Sequence, residues 1–333
     1  MATHGDGTRA DGRLTRCPIT PLSLAGEEGT RASCRRRDFG TTHGREREPR
    51  NPLDATLPRR SLFATLIPTA CAAQPAPDLT LTAVTDTARF AEFALTLEAD
   101  LTPRALTLKR AGHLGDGAGR PLPRGYAGDA EALTRLQDGR WLVAFERWHR
   151  IRAYRDLAGP GVPFDAPPGL DRAPGNRGLE ALTALPDGRI LAITEEMPAS
   201  GDPGRPEARS TYAAWIGRPG AWRAIGWRPA PGHLATDAAA LPDGGALVLE
   251  RFFSLFGGIT ARITRVSAAA LADPAAGTIL EGEELIRLDG VLPPENYEGI
   301  AATRHAGRTL VAVISDDNEN ALQRTLLLLF ELR

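Results

Sequence analysis

Four acidic residues occupy related positions in four similar segments of the sequence. Each segment has an apolar run, a short polar turn and a second apolar run, and the acid lies near the start of the first run. These residues are Glu131, Glu180, Asp237 and Glu298. Glu131 and Glu180 align without gaps at a separation of 49 residues, whereas Asp237 lies one place off this alignment. Carboxylates brought together repel one another unless a cation, arginines or bound protons neutralise them.

Two interpretations of these acids are open from the residues alone. In the first, the four carboxylates surround Ca²⁺, which takes six to eight oxygen ligands and tolerates irregular geometry. In the second, each acid accepts backbone N–H groups from the next repeat and so holds the repeats together. The Asp-Gly pairs that follow, such as Asp187-Gly188, have a simpler explanation, because this dipeptide is favoured in tight turns. We therefore expect Glu180 to serve a shared site and Asp187 to serve only its turn.

The segments themselves predict an all-β fold. Each one is typical of a β-hairpin, and similar hairpins that recur at intervals of about 40 to 60 residues are typical of β-propeller blades. The region from Leu79 to Arg333 would hold six blades at roughly 42 residues per blade. The innermost strands of a propeller line one central channel, so equivalent residues of successive repeats converge there. The four acids are thus expected at a common mouth.

The N-terminal part of the chain has a different composition. Residues 1–58 are rich in Arg and Gly without apolar periodicity, which predicts a disordered segment or residues upstream of a true translation start near Leu57. Residues 59–77 combine an arginine pair, a short apolar run and Ala70-Cys71-Ala72, which is typical of an export signal and its spacer. We expect a periplasmic or secreted protein that is exported by either the general secretory or the twin-arginine pathway. Lipid attachment at Cys71 is one alternative, and a cytosolic protein is another. The propeller is expected over residues 79–333.

Composition excludes several classes of function. The net charge is −1, so no basic surface for nucleic acid or membranes is indicated. The apolar run near residue 65 is too short to span a bilayer. The three cysteines, Cys17, Cys34 and Cys71, all precede the repeats, which excludes disulfides, thiol nucleophiles and cysteine-ligated zinc from the predicted propeller. No nucleophile elbow, P-loop or dinucleotide motif is present. We expect a monomer that acts on a small molecule.

The sequence resembles the phytase-like family, which is known as esterase-like activity of phytase. The resemblance covers essentially everything after Leu79 and is carried by five motifs in the expected order: FERWHRI at 145–151, NRGLEALTALPDGRILAITE at 176–195, TDAAALPDGGALVLERFF at 236–253, NYEGIA at 296–301 and ISDDNENALQRTLLLLFEL at 314–332. The turn at His305-Ala306-Gly307 departs from the pattern of the other repeats. This resemblance also implies a β-propeller.

The activity that the resemblance implies is metal-dependent hydrolysis of a phosphoric ester. The four acids would then be metal ligands, while Arg147, Arg177 and Arg251 would hold the phosphate through bidentate hydrogen bonds. His149 would be a proton donor. The run Asp316-Asp317-Asn318 could bind Ca²⁺ or form a solvated turn, since it lacks the spacing of an EF-hand. Two alternatives are a lactonase or carboxylesterase on the same scaffold and a non-catalytic binding propeller of the cell envelope.

Overall fold

The structure is a computed structural model that describes residues 14–16, 22–23, 62–68, 79–199, 210–254, 258–290, 292–318 and 323–333. Almost all of its regular structure is β-strand, as predicted. In chain order the strands are β1 (Leu14–Arg16), β2 (Leu22–Ser23), β3 (Leu62–Pro68), β4 (Leu79–Thr85), β5 (Arg89–Leu97), β6 (Pro103–His113), β7 (Ala130–Arg135), β8 (Trp141–Phe145), β9 (Arg150–Tyr154), β10 (Val162–Phe164), β11 (Leu179–Ala184), β12 (Ile190–Pro198), β13 (Tyr212–Arg218), β14 (Ala221–Trp227), β15 (Leu234–Ala240), β16 (Ala246–Ser254), β17 (Gly258–Val266), β18 (Ile279–Leu280), β19 (Glu283–Leu288), β20 (Asn296–His305), β21 (Arg308–Asp316) and β22 (Leu326–Leu332). One short helix, α1 (Ala268–Ala272), and a 3₁₀ turn at Leu170–Arg172 complete the described elements.

The strands form a β-propeller of five sheets, which we number as blades in chain order. Blade 1 contains β3 to β6, blade 2 contains β7 to β10, and blade 3 contains β11 to β14 with β18 added in parallel to β14. Blade 4 contains β15, β16, β17 and β19, and blade 5 contains β20 to β22 with β1 and β2 paired to β22. The expected six blades are therefore five in the described residues. The blades are longer than the roughly 42 residues that the prediction assumed, because insertions such as 267–282 lie between their strands.

The innermost strands close a ring. Each of β3, β7, β11, β15 and β20 contacts the next, and β20 contacts β3. Strand β3 lies within the segment 59–77 that the sequence predicts as an export signal, so blade 1 begins one strand earlier than expected. Apart from β1 to β3, the predicted segments 1–58 and 59–77 lie outside the described residues. No helix in the described part of the chain is long and apolar enough to cross a membrane.

The hairpin turns follow from the Asp-Gly pairs. Asp187 accepts a hydrogen bond from the Arg189 backbone N–H at 2.9 Å, and Gly188 has a φ of 83°, a conformation that glycine adopts without a steric penalty. The role of Asp187 in its turn is thus confirmed. The divergent turn in blade 5 is also explained, because Ala306 and Gly307 have φ angles of 48° and 80°. Two such residues between paired strands form the tight turn that suits the twist of a hairpin.

The apolar core lies between the blades. Five clusters of buried side chains are present in the described chain, and each joins two neighbouring blades. Alternate residues of one strand enter different clusters: Val143 of β8 packs toward blade 1, whereas Leu142 packs toward blade 3. Both faces of a blade are therefore covered, and burial of this surface at about 25 cal/mol per Å² stabilises the ring. The blades hold the ends of their inner strands in fixed relative positions.

Candidate functional site

A β-bulge at the start of each described hairpin from blade 2 to blade 5 presents a side chain to the channel. The residue skipped by the pairing register is Glu131 in blade 2, Glu180 in blade 3, Thr236 in blade 4 and Glu298 in blade 5. A bulge leaves this residue unpaired and redirects its side chain. The carboxylates of the three glutamates interact electrostatically with one another. The structure thus brings together three of the four predicted ligands.

Asp237 is the exception, because Thr236 takes the bulged position in blade 4. The Asp237 carboxylate accepts hydrogen bonds from the backbone N–H groups of Ala238 and Ile300, both at 2.8 Å. Ile300 belongs to β20, so this bond joins blade 4 to blade 5. The shift of one residue that was visible in the alignment turns this side chain away from the channel site. Of the two interpretations, interblade closure describes Asp237.

A second ring of charged residues lies at the ends of the second strands. In blades 2 to 5 each of these residues directly follows the second-strand residue that pairs on the mouth side of the bulge, and in blade 1 the residue follows Thr85, the last paired residue of β4. The five positions are Asp86, Glu146, Glu195, Arg251 and Asp316. Four are acids and one is arginine. The sequence did not indicate Asp86, since blade 1 has no recognisable repeat. The mouth is therefore more acidic than the four predicted acids alone would make it.

One acid from each ring forms a compact group with Asp129, and we call these three residues the acidic trio: Asp129, Glu131 and Glu146. One carboxylate oxygen from each lies within 4.8 Å of those of the other two. All three side chains are buried. The Glu131 carboxylate accepts no hydrogen bond from the described residues, although only 9 % of the residue is exposed. Asp129 was not predicted, because it precedes the aligned acidic position by two residues.

The carboxyl groups of this region resist ionisation. Burial raises the pKa of Glu131 well above its usual range, and the neighbouring charges of Asp129 and Glu146 add to the effect. Burial likewise raises the pKa of Glu180, with Glu131 as the largest charged contributor. The pKa of Glu146 is raised to about 7, mainly by burial and against the hydrogen bond that it accepts from the Gly178 N–H at 2.7 Å. These groups require protons or a cation in order to lie together.

Arg251 neutralises the opposite side of the mouth. Its guanidinium donates to the Asn296 side-chain oxygen and to Glu298, and it lies 3.9 Å from Glu195. The Glu298 charge is the largest cause of the raised pKa of Arg251. Arg251 therefore reaches the site as predicted, but its positive charge already neutralises two carboxylates, those of Glu195 and Glu298. The acidic trio has no such buried arginine among its described contacts.

Arg147 and Arg177 lie at the rim, each paired with an acid. The Arg147 Nε lies 2.5 Å from Asp129, and Arg177 forms an ion pair with Glu196. About half of each arginine side chain is exposed: 45 % for Arg147 and 55 % for Arg177. The Arg177–Glu196 pair is partly exposed on both sides, and such pairs are weak and can be exchanged for a ligand, whereas the Asp129 partner of Arg147 is buried. Arg147 also has a φ of 55°, an uncommon value for a residue other than glycine.

His149 packs beside the acidic trio and against the backbone of Gly178. Its Nε2 lies 3.0 Å from the Ala173 carbonyl oxygen, and its Nδ1 is buried with no hydrogen-bond partner in the described chain. A Cβ at residue 178 would come within 2.5 Å of His149 Nδ1 and 3.2 Å of Glu146 Cγ. Glycine therefore permits the imidazole and the carboxylate to pack on the same backbone. The sequence did not single out Gly178.

The run Asp316-Asp317-Asn318 forms a turn at the end of β21. The Asn318 backbone N–H donates to Asp316, and Asn318 has a φ of 49°. Asp316 is not solvated, because only 1 % of it is exposed. Burial and the charge of Glu298 raise its pKa to about 7. Asp316 thus joins the second ring, whereas Asn318 completes the turn.

The family model described as phytase-like, esterase-like activity of phytase, matches residues 70–319. The chain belongs to this family. The match includes every acidic residue of both rings. No curated protein sequence matches the chain.

Three solved structures with partial similarity to this chain are enzymes by name. One is an α-L-arabinofuranosidase from Podospora anserina in complex with cellotriose, with 11 % identity, a TM-score of 0.42, and coverage of 86 % of this chain and 94 % of that chain. A β-xylosidase has 12 % identity and a TM-score of 0.44 over 82 % of this chain and 92 % of that chain. A luciferin-regenerating enzyme has 13 % identity and a TM-score of 0.42 over 83 % and 93 %. Similarity of this extent carries no information on the reaction.

Proposed function

We propose that this phytase-like propeller is an exported hydrolase that uses a divalent cation, Ca²⁺ in the first instance, to cleave phosphoric esters of small molecules. The observation that supports the proposal most directly is the Glu131 carboxylate. It is buried, accepts no hydrogen bond from the described residues, and lies among two further carboxylates. A buried carboxylate without a partner is costly, and a bound cation removes that cost.

The donor set fits a hard cation. The trio of Asp129, Glu131 and Glu146 offers carboxylate oxygens alone, which suit Ca²⁺, Mg²⁺ or Mn²⁺ rather than a thiolate-preferring metal. Glu180 lies next to the trio and interacts with both Glu131 and Glu146. Glu298 is a predicted ligand that Arg251 already neutralises. When bound at such a site, a divalent cation polarises an ester oxygen and acidifies a coordinated water.

The residues of the chain contribute binding and orientation. Arg147 and Arg177 are exposed enough to exchange their ion pairs for an anionic ester, and their planar guanidiniums match two oxygens of a phosphate. Arg251 fixes the position of Glu298 through a direct ion pair. His149 remains the candidate proton donor, although its Nε2–H is used by the Ala173 carbonyl oxygen, so a proton for the substrate would have to be carried by Nδ1. Its ring is held by the Ala173 carbonyl at the edge of the mouth.

A second candidate reaction is hydrolysis of a lactone or carboxylic ester. The ion pairs of the arginines favour this reaction, because each of Arg147, Arg177 and Arg251 already neutralises a carboxylate. A neutral ester requires no arginine to balance its charge, whereas a phosphoric ester requires at least one of these pairs to open. The third alternative, a binding propeller of the cell envelope, predicts cation binding with no turnover.

Export is part of the proposal and rests on the arginine pair and the small-residue site in residues 59–77. Strand β3 at Leu62–Pro68 falls inside that segment. Removal of a leader after Ala70 would therefore leave the inner edge of blade 1 without this strand. Export and the retention of β3 are alternatives that can be distinguished by the N-terminus of the isolated protein.

The reaction can be tested with three chromogenic or fluorogenic substrates: an aryl phosphate, an aryl acetate and a six-membered lactone. We expect phosphate release that requires Ca²⁺ and stops after EGTA treatment. Glu131→Gln should abolish the activity, while Asp138→Asn, a turn residue seven positions along the same hairpin, should retain it. Turnover of the lactone alone would support the second reaction. Cation binding without turnover of any substrate would contradict a catalytic role.

A further inference from the structure

A cavity of about 390 Å³ lies at the end of blade 3 that is opposite the mouth. Strand β11 carries Glu180 near its start, at the mouth, and the turn that contains Asp187 follows its other end. Ile190 begins β12 at this turn and pairs with Gly217, so the end of β13 lies here as well. The last residue of α1, Ala272, contributes to the opposite wall. The cavity is therefore separate from the acidic trio.

Three arginines and two aspartates line this cavity. Arg189 is paired with Asp187, whose carboxylate lies 2.7 Å from its Nε and 2.6 Å from its Nη2. Arg223 donates to the Asp273 carboxylate and, at 2.6 Å, to the Pro274 carbonyl oxygen. Two of the three guanidiniums are thus neutralised. One positive charge remains in the wall.

Arg218 carries this remaining charge. Its Nη2 donates to the backbone carbonyl oxygen of Asp187, which has no net charge, and no other N–H group of its guanidinium has a partner among the described residues. A Cβ at Gly188 would lie 3.8 Å from Nη2, so the guanidinium lies over the hairpin turn, and the side chain is exposed. A guanidinium offers five donors in a planar fork that matches the two oxygens of a carboxylate.

The rest of the wall is apolar. Ile216 is buried beneath the cavity, and Ala221 and Ala272 lie on its sides. Charges in a concave site with apolar walls are screened less than charges on an open surface, which strengthens the attraction of Arg218 for an anion. The same apolar atoms can cover the hydrocarbon part of a ligand.

We infer that this cavity binds a small organic carboxylate, with the carboxylate on Arg218 and the hydrocarbon part against Ile216, Ala221 and Ala272. A monoanion balances the single unneutralised charge. A phosphate dianion would leave excess negative charge beside Asp187 and Asp273, and a cation would be repelled by Arg218. The inference does not depend on the proposed hydrolysis, because the cavity lies at the other end of the blade.

The site can be tested by fluorine NMR titration of the full chain, with para-fluorobenzoate as the anionic probe and para-fluorobenzamide as its neutral counterpart. We expect the benzoate to bind at least about tenfold more tightly, because its hydrogen bonds with Arg218 are charge-assisted. Arg218→Gln should lower the affinity for benzoate to that for benzamide. Arg228→Gln is the matched control, since Arg228 is an exposed arginine of blade 3 that is already paired with Glu281, and it should leave the affinity unchanged.

Equal affinity for the two probes would overturn the inference, as would full affinity for benzoate in Arg218→Gln. Displacement of the probe by inorganic phosphate at lower concentration than by benzoate would also overturn it, because the apolar wall would then be irrelevant. Binding should be the same in Glu131→Gln and in EGTA. A loss of binding under either condition would place the probe at the mouth and contradict the inference, whatever the outcome for hydrolysis.

Discussion

The Glu146 carboxylate crosses the boundary between blades 2 and 3, where it accepts a hydrogen bond from the Gly178 N–H at 2.7 Å and interacts electrostatically with the carboxylate of Glu180. Two ionised carboxylates in these positions repel, so a proton on one of them or a cation beside them stabilises the arrangement. Glu146 directly follows the second strand of blade 2, and Glu180 is the bulged residue of blade 3. The pair thus couples neighbouring blades at the mouth, and a proton on it competes with a cation for the same oxygens.

Substitution of Glu131 or Glu180 should weaken Ca²⁺ binding. Glu131→Gln and Glu180→Gln each keep the shape of the side chain and remove a charge, so we expect a loss of affinity of about tenfold or more, equivalent to roughly 1.4 kcal/mol. The thermal stabilisation by Ca²⁺ should shrink accordingly, because a ligand that binds only the folded state stabilises it in proportion to occupancy. Thermal melts with Ca²⁺ and with EGTA measure this shift.

Asp187→Asn is the control for this experiment, since Asp187 serves its turn and Asn is also favoured before glycine. It should retain the full stabilisation by Ca²⁺. A wild-type protein whose melting temperature does not respond to Ca²⁺ after chelator treatment would contradict a cation at the acidic trio.

Stability without metal should decrease as pH rises from 5 to 8. The pKa values of Glu146 and Asp316 are raised to about 7, so the folded state binds more protons than the unfolded state above the ordinary range of carboxyl pKa values. Stability is then lost progressively as pH rises toward 7. Melting temperatures measured in EGTA at several pH values test this, and the dependence should be smaller in Ca²⁺. A metal-free protein that gains stability across this pH range would contradict the raised pKa values.

Removal of the Asp237 carboxylate should destabilise the fold without affecting the cation. Asp237→Ala leaves the Ala238 and Ile300 N–H groups without their acceptor, and we expect a loss of about 1–3 kcal/mol in the free energy of unfolding. Urea denaturation measures the loss. The stabilisation by Ca²⁺ should match that of the wild type, and a reduced response would instead place Asp237 among the ligands.

Introduction of a side chain at residue 178 should disturb the trio. The Cβ in Gly178→Ala would overlap the His149 ring, so we expect a shift of Glu146 and a weaker response to Ca²⁺. Gly175→Ala is the matched control, because a Cβ there meets no atom within 4 Å. Equal behaviour of the two variants in a Ca²⁺ titration would show that the close approach at Gly178 is unimportant.

The N-terminus of the protein from its native host distinguishes export from retention of β3. If the leader is removed, the mature chain should begin between Cys71 and Ala76, and blade 1 would lack the strand at Leu62–Pro68. N-terminal sequencing gives the answer directly. A chain that retains residues 62–68 would contradict the export proposal and support the ring of five complete inner strands.

The propeller could be predicted from the sequence, and three of the four predicted acids lie at the channel, because both features depend on a repeated local pattern. Glu131, Glu180 and Glu298 share an alignment position, and the bulge that presents them recurs with it. The alignment places Asp237 one residue off this position, and the bulge of blade 4 falls on the aligned residue, which is Thr236. A period-two strand makes such a shift decisive, because it reverses the direction of the side chain.

Other parts of the site had no signal in the sequence. Asp86 comes from blade 1, which does not resemble the other repeats, and Asp129 lies outside the aligned position. The pairing of each arginine with an acid also depends on tertiary contacts between distant segments, as with Arg251 and Glu298. The blade count was wrong because the lengths of insertions cannot be obtained from the repeats themselves.

The five apolar layers between the blades restrict where the length of this protein can vary. A linear array of repeats can lose a terminal unit and expose only one new face. In the closed ring every blade covers two neighbours, so deletion of one would uncover two apolar faces at once. Natural variation should therefore be confined to segments outside the layers, such as 116–121 between two buried leucines of blade 1, while the number of blades stays fixed.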